Sequence, residues 1–201
     1  MIIYDTEKPP LQTGDSLLVV ANHYDRDMQR QGAPMDVMNG EFVKVINIRQ
    51  LPETRTTSVF VDEGGERVKK PFSITYQDVT LQLQNGKLYE CKIITNLLDS
   101  KEKGLNIPQI KARYIDFCIR HCELKPKTAE FKATLQTDPY MNTIMVKYGY
   151  AITCHKAQGG EWDTVFADFS GVVLCKNGLR WIYTAVTRAR RMLIRNDGGG
   201  M

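Results

Sequence analysis

The first half of the chain alternates apolar and polar residues over short runs that are rich in β-branched side chains. A period of two is typical of strands with one buried face. Between residues 12 and 100 it predicts strands at Ser16–Ala21, Glu41–Ile48, Ser58–Asp62, Ser73–Tyr76, Val79–Gln84 and Leu88–Ile94. The dipeptides Asn39-Gly40, Gly64-Gly65 and Asn85-Gly86 between them tolerate the positive φ angles of tight turns. We therefore predict a small antiparallel β-barrel over residues 12–100.

A helical pattern replaces this alternation after Pro108. Several side chains recur at the spacing of one helix face: Ile110, Tyr114, Phe117 and His121. They predict an amphipathic helix that ends before Lys125-Pro126. A second helix is predicted from Thr128 to Gln136 and ends at Asp138-Pro139, because the residue before a proline disfavours helical backbone. Residues 101–138 are thus predicted to form a helical connector.

Strands and helices alternate in the last part of the chain. The pattern predicts, in order, a strand, a strand, a helix and a strand at Thr143–Val146, Asp163–Phe169, Leu179–Arg190 and Met192–Arg195. Such alternation is typical of α/β architecture with a parallel sheet. We assign residues 139–197 to this third segment, so the whole chain is predicted to combine an α/β part with a β part.

Composition narrows the class of protein without naming a function. The 201 residues are 42% hydrophobic and 25% charged, as in globular chains, and the net charge of +4 is a mild lean toward polyanions. No run approaches the roughly eighteen apolar residues of a membrane span, so we predict no membrane partner. The five cysteines are odd in number and scattered, which favours reduced thiols in the cytoplasm over a disulfide framework.

Three of the residues on the predicted connector helix allow a zinc site as an alternative. Cys118, His121 and Cys122 lie close in sequence, and Cys91 is a further candidate ligand. Paired short-spaced cysteines are missing, however, and a buried apolar helix face explains these side chains equally well. We therefore predict no bound metal.

The segment Tyr150-Ala-Ile-Thr-Cys-His-Lys-Ala-Gln-Gly-Gly-Glu-Trp-Asp-Thr-Val165 places a turn or helix start after a predicted strand end near Thr153. Unpaired N–H groups at such a junction are a natural site for phosphate, and Thr153 adds a hydroxyl donor. Gly159 and Gly160 allow close approach of a ligand, and Glu161 can accept hydrogen bonds from a ribose. An ordinary glycine-containing loop is the alternative.

A second segment, Tyr183-Thr-Ala-Val-Thr-Arg-Ala-Arg190, places Arg188 on the predicted helix. The planar, permanently charged guanidinium of arginine suits a phosphoryl group because it donates to two oxygens at once. The alternative is a basic helix end that complements the helix dipole. No Gly-rich loop ending in Gly-Lys-Ser or Gly-Lys-Thr occurs in the sequence, so it lacks the usual cradle for the phosphates of ATP.

Together, in this order and spacing, the two segments resemble motifs V and VI of superfamily 1 helicases. The residues of the two segments are most similar to those of the RecD and Dda branch of this superfamily. A third similarity, to the segment that opens the SH3-like insert of those enzymes, lies at Gly14-Asp15, Asn22-His-Tyr24 and Asn39-Gly40-Glu41. The resemblance implies a partial RecA-like second lobe at residues 139–197 and an SH3-like β-barrel insert at residues 12–100. Trp162, where phenylalanine is usual, and a long loop at Arg26–Pro34 depart from the family pattern.

The resemblance also implies roles for individual residues. Arg188 corresponds to the catalytic arginine that reaches the γ-phosphate, and the nucleotide-binding residues are Gly160, Glu161 and Arg188. Contacts to single-stranded DNA are expected from Thr153, His155, Gln158 and Thr187. ATP with Mg²⁺ is expected to be shared with an N-terminal RecA-like lobe of the same polypeptide, so the chain alone is expected to be inactive. A nucleic-acid or protein binding module without motor activity, or an inactive helicase relative, is the alternative function.

Overall fold

The computed structural model describes residues 11–24, 36–102, 104–170 and 177–196, and its fold is mixed α/β. By its internal contacts the chain divides into two compact units, Met1–Tyr150 and Ala151–Met201. This division into two units does not test the three segments predicted from the sequence, residues 12–100, 101–138 and 139–197. They remain a prediction. The predicted loop at residues 26–34 lies outside the described residues.

The first unit holds a curled sheet and two helices. Its strands are β1 Ser16–Val19, β2 His23–Tyr24, β3 Asp36–Val37, β4 Phe42–Ile48, β5 Glu53–Glu63, β6 Glu66–Gln82, β7 Leu88–Ile94 and β8 Val146–Tyr148. A 3₁₀ turn, Thr95–Leu97, follows β7, and the helices are α1 Ile107–Arg120 and α2 Ala129–Thr137. Among the described helices, none is long and apolar enough to cross a membrane.

The main sheet curls until its two ends meet. β8, β1, β4, β6 and β7 pair in that order, each antiparallel to its neighbour. Ile93 of β7 then forms a parallel bridge with Ile144, just before β8, and the N–H of Ile144 donates to the carbonyl of Lys92 at 3.0 Å. Fully buried side chains fill the interior: Leu17, Val19, Val45, Val79, Leu81, Ile93, Ile144 and Val146. The structure thus has a curled sheet where the small barrel was predicted, but the sheet takes in β8, which lies outside the predicted range of residues 12–100.

β5 and β6 form a long hairpin, paired from Glu53–Tyr76 to Glu63–Glu66 around the predicted turn at Gly64-Gly65. The sequence predicted two strands, Ser73–Tyr76 and Val79–Gln84, where the structure has the single strand β6. The polar pair Gln77-Asp78 caused this error. Gln77 is only 3% exposed, and its side-chain amide donates to the carbonyl of Gln50 at 2.5 Å, so a polar residue fits inside the strand.

Both predicted connector helices are found, and side chains cap them. Asn106 accepts a hydrogen bond from the N–H of Gln109, and the Gln109 side chain accepts from the N–H of Asn106, both at 2.9 Å. Thr128 caps α2 by accepting from the N–H of Phe131 at 3.1 Å. α1 packs on β5 and β6, so these helices belong to the first unit.

A network of charged side chains ties α1 to the sheet and to the turn after α2. Arg55 of β5 binds Asp116 of α1 at 2.9 Å, and Arg120 binds both Asp116 and Asp138. The ring of Tyr140 lies under the guanidinium groups of Arg55 and Arg120, at 5.0 and 4.5 Å, and its hydroxyl donates to Glu53 at 2.6 Å. The two buried carboxylates of this network, Asp116 and Asp138, therefore each have a cationic partner.

The second unit is a strand, a helix and a strand: β9 Trp162–Asp168, α3 Gly178–Val186 and β10 Ala189–Asn196. β9 and β10 pair in parallel, as the sequence predicted for this region. The register shifts between Ala189 and Met192, which leaves an extra residue on β10. One face of the pair and the helix enclose a small core: Cys154, Ala167, Phe169 and Ala185.

Two predicted elements of this region are wrong in their limits. The helix predicted to reach Arg190 ends at Val186, and β10 begins three residues later. The strand predicted at Thr143–Val146 appears as β8, but it pairs antiparallel with β1 in the first unit. The parallel sheet of the second unit therefore has two strands among the described residues.

Candidate nucleotide and nucleic-acid site

The segment from Thr153 to Gly160 forms consecutive turns. The carbonyl of Thr153 accepts from the N–H groups of Lys156 and Ala157, at 2.9 and 3.1 Å, and the carbonyl of Ala157 accepts from Gly160 at 3.1 Å. The strand predicted to end near Thr153 is not found, because β8 ends at Tyr148. The turns are held by their own backbone, which leaves their side chains available.

The side chains expected to contact DNA on this segment point to solvent. Thr153, His155 and Gln158 are exposed, and they make no side-chain hydrogen bond with the described residues. By contrast, Cys154 and Ala157 between them are buried. The turn therefore presents three polar side chains on its outer side while its apolar residues anchor it to the core of the unit.

Packing against Trp162 favours glycine at position 160. A Cβ at this position would collide with the indole ring of Trp162. The structure shows that glycine at this position makes room for the neighbouring tryptophan, and the close approach of a ligand stays a prediction. The same observation accounts for Trp162, because its ring fills the space that a side chain at position 160 would need.

Arg188 lies in the turn that follows α3, and not on the helix as predicted. The N–H of Thr187 still makes a helical bond to the carbonyl of Tyr183, whereas the N–H of Arg188 bonds to the carbonyl of Ala185, three residues back, which tightens the last turn as the helix ends. The guanidinium then donates from Nε to the carbonyl of Thr184 at 3.1 Å and from Nη1 to the carbonyl of Gly160 at 3.0 Å. The backbone adds a third link, because the N–H of Trp162 donates to the carbonyl of Arg188 at 2.9 Å.

Glu161 is engaged by an arginine that the sequence did not single out for this role. Nε of Arg190 lies 3.0 Å from Oε2 of Glu161, and both side chains are more than half exposed. An exposed pair of this kind contributes little stability, so it opens readily for another partner. Arg190 lies in the irregular stretch of β10, whose register could not be inferred from the sequence.

The contacts join four of the predicted site residues at one end of the parallel strand pair. Gly160 and Glu161 precede β9, while Thr187 and Arg188 precede β10. Thr187 is tied to this group because its hydroxyl accepts from Nη2 of Arg188 at 3.1 Å. Thr153, His155 and Gln158 lie earlier on the turn, and among the described residues no hydrogen bond joins their side chains to Thr187. Parallel pairing explains the meeting, because equivalent strand ends share an edge.

Cys154 anchors the turn from below. Cys154 is 7% exposed, and its thiol donates to the carbonyl of Trp181 at 3.4 Å. Burial raises the pKa of this thiol, although the nearby cation of Arg188 acts in the opposite direction. The burial of Cys154 and its hydrogen bond hold the turn against the core of the second unit.

Comparison with known protein families bears on this same stretch.
Residues 148–194 match the UvrD-like helicase C-terminal domain.
The match covers the turn from Thr153 to Gly160, Glu161 and Arg188. It supports the C-terminal region of a superfamily 1 helicase here, and with it an ATP-dependent helicase and an interaction with nucleic acid in general terms. No curated protein matches the chain.

The zinc alternative finds no support in the described part of the chain. No group of three His, Cys, Asp or Glu side chains there could hold a metal ion. His121 instead packs on the ring of Phe117 and hydrogen-bonds Asp138 at 3.2 Å. His121 is thus used for packing and for the charged network.

Proposed function

We propose that this chain is the C-terminal portion of an ATP-dependent DNA helicase of the RecD and Dda type. In this proposal it supplies one wall of an ATPase cleft, and the Walker A and B motifs come from an N-terminal RecA-like lobe of the same polypeptide. The observation that carries the proposal is the 3.0 Å hydrogen bond from Arg188 to the carbonyl of Gly160. It supports one shared site for two sequence segments that lie 28 residues apart.

Arg188 is the arginine finger in this scheme. An arginine has five N–H donors, and three of those of Arg188 serve acceptors within the described residues. The remaining donors are available to the oxygens of a γ-phosphate. A finger of this kind accelerates phosphoryl transfer by about three to five orders of magnitude. Glu161, released from Arg190, accepts the hydroxyl groups of the ribose.

The turn that carries Thr153, His155 and Gln158 contacts single-stranded DNA. Its exposed hydroxyl, imidazole and amide groups are suited to phosphate and sugar oxygens, which fix a strand in place without reading its sequence. Thr187 adds a hydroxyl beside Arg188. Because Gly160 joins this turn to Arg188, a movement of the finger toward ATP moves the DNA contacts as well.

Two finer assignments belong to the same proposal. The β9–α3–β10 unit, with its parallel strands, is the part of a RecA-like lobe that carries motifs V and VI. The curled sheet of the first unit is the SH3-like insert. ATP with Mg²⁺ binds only in the cleft completed by the other lobe, and the protein acts in the cytoplasm.

The proposal is tested by joining the chain to its N-terminal lobe and measuring ATP hydrolysis stimulated by single-stranded DNA. Arg188→Ala is expected to lower the rate by about three to five orders of magnitude. Arg191→Ala is the matched control, because its side chain is 80% exposed and lies 3.9 Å from Asp163. The chain without the lobe is expected to hydrolyse no ATP. Hydrolysis by the isolated chain, or an unaffected Arg188→Ala enzyme, contradicts the proposal.

The second candidate is a binding module without motor activity, and the compact first unit with its closed sheet favours it. Cutting the chain near residue 100 would remove β8 and open that sheet, so the test fragment must extend to Tyr150. If this fragment binds single-stranded DNA as tightly as the whole chain does, the module explains the binding. The helicase proposal expects the whole chain to bind more tightly.

A further inference from the structure

A pocket of about 320 Å³ opens on the first unit, beside β2 and the end of α2. Tyr24 and Asn22 contribute from the β2 side, and Gln136 and Asn142 from the end of α2 and the turn that follows it. Met141 and Met145 supply apolar surface. The volume lies at the lower end of the range for small-molecule sites, about 300 to 1,000 Å³.

The described lining of the pocket favours an uncharged ligand. Among the described residues that line it, none is a lysine, arginine, aspartate or glutamate. The side-chain amides of Gln136 and Asn142 make no hydrogen bond with the described residues, and each offers both donors and an acceptor. A flat, uncharged ligand with hydrogen-bonding edges fits this combination.

An aromatic ring stands beside these amides in a fixed position. Tyr24 is 46% exposed, and its hydroxyl accepts from the amide of Asn22 at 3.1 Å. Asn22 is itself held, because its side-chain oxygen accepts from the N–H of Asn39 at 2.9 Å. His23 anchors the same strand by a 3.0 Å hydrogen bond to the hydroxyl of Tyr89. The ring of Tyr24 is thus an ordered platform that remains open to solvent on part of its surface.

We propose that this pocket binds one base of a single-stranded nucleic acid. The base stacks on Tyr24, its edge hydrogen-bonds the amides of Gln136 and Asn142, and the two methionines contact its other apolar surface. The inference rests on the proposed function, because it takes nucleic acid as the partner. It adds a contact to a base, whereas the residues around Thr153 contact the backbone.

The test compares two labelled single strands of about twelve nucleotides, one of deoxythymidine and one of abasic spacers, by fluorescence anisotropy with the whole chain at one fixed salt concentration. The wild-type chain is expected to bind the thymidine strand about tenfold more tightly. Tyr24→Ala and Asn142→Ala are expected to remove this preference and to leave abasic-strand binding unchanged. Gln136→Ala is expected to weaken it, and Gln84→Ala, at an exposed glutamine outside the pocket, to preserve it.

Tyr24→Phe keeps the aromatic ring, so this variant is expected to retain the preference for the thymidine strand. It therefore separates loss of stacking from a general effect of substitution on folding. Equal binding of both strands by the wild-type chain overturns the base pocket and leaves the pocket to an apolar segment of a protein partner. In that case the helicase proposal stands if His155→Ala weakens both strands alike. If neither strand binds, both the pocket and the proposed nucleic-acid function are wrong.

Discussion

Asp138 is the acidic centre of the charged network, and its removal should unfold the first unit more easily. Its side chain is 2% exposed and accepts from both terminal nitrogens of Arg120, at 2.5 and 2.9 Å. It also accepts from His121 and from the N–H groups of Tyr140 and Met141. Asp138→Ala removes the carboxylate from all of these donors, although the N–H of Met141 keeps its bond to the backbone carbonyl of residue 138.

The size of the effect follows from what the donors lose. Breaking a buried ion pair by deleting one partner costs about 3 to 5 kcal/mol of unfolding free energy, since the other charge stays buried. Arg120 is 18% exposed and keeps its bond to Asp116, so we expect about 3 kcal/mol. Asp138→Asn retains an acceptor for the backbone donors and should cost less.

Urea unfolding, followed by circular dichroism, measures this difference. Burial opposes ionisation of Asp138, but the hydrogen bonds from Arg120 and His121 outweigh it, so the pKa of the carboxyl lies below its ordinary value of 3.8. The carboxylate therefore stabilises the fold at neutral pH, and this contribution is lost as the pH falls through the folded pKa. The gap between wild type and Asp138→Ala should shrink over the same range.

Glu63→Ala is the matched control, because its pair with Lys70 lies on the exposed hairpin and should contribute less than about 1 kcal/mol. A loss below about 1 kcal/mol for Asp138→Ala, or a gap that does not change in acid, would refute the reasoning.

Three further outcomes follow from the structure. Gly160→Ala should destabilise the second unit and change Trp162 fluorescence, because the new methyl group collides with the indole; unaltered emission and thermal stability would contradict this. Cys154, buried and with a raised pKa, should react with a thiol reagent far more slowly than exposed Cys122, as mass spectrometry of partly labelled protein can show. Burial and the hydrogen bond to Glu53 raise the pKa of Tyr140 to about 12, so alkaline titration of wild type minus Tyr140→Phe should show ionisation near that pH and not near 10.

Local patterns predicted most of the strands and helices, because alternation, capping residues and Gly-containing turns act over a few neighbours. Gly64-Gly65 forms the predicted turn, and Thr128 caps the helix that was predicted to begin there. Gln77 misled the prediction, because its buried amide is satisfied by the carbonyl of Gln50, which lies 27 residues away in sequence. A pattern read along the chain cannot contain such a partner.

The candidate site likewise combines local features that the sequence shows with contacts that only the fold creates. The two motif segments could be found in the sequence, whereas their meeting depends on the parallel register of β9 and β10. The end of α3 was placed too late because Thr187 and Arg188 look acceptable in a helix, and the three-residue bond from the N–H of Arg188 to the carbonyl of Ala185 is visible only in the structure. The pairing of Glu161 with Arg190 and the packing of Gly160 on Trp162 likewise depend on geometry. The roles of these residues in binding stay predictions.

The bridge between Ile93 and Ile144 has a consequence for biosynthesis. During translation, Ile144 and β8 leave the ribosome only after both helices, so the earlier strands cannot close the sheet before then. Joining segments so remote in sequence is slow, because the loop entropy is lost before the contacts form. The nascent chain should therefore expose apolar surface until Tyr148 is released, and that interval is when chaperones would engage it.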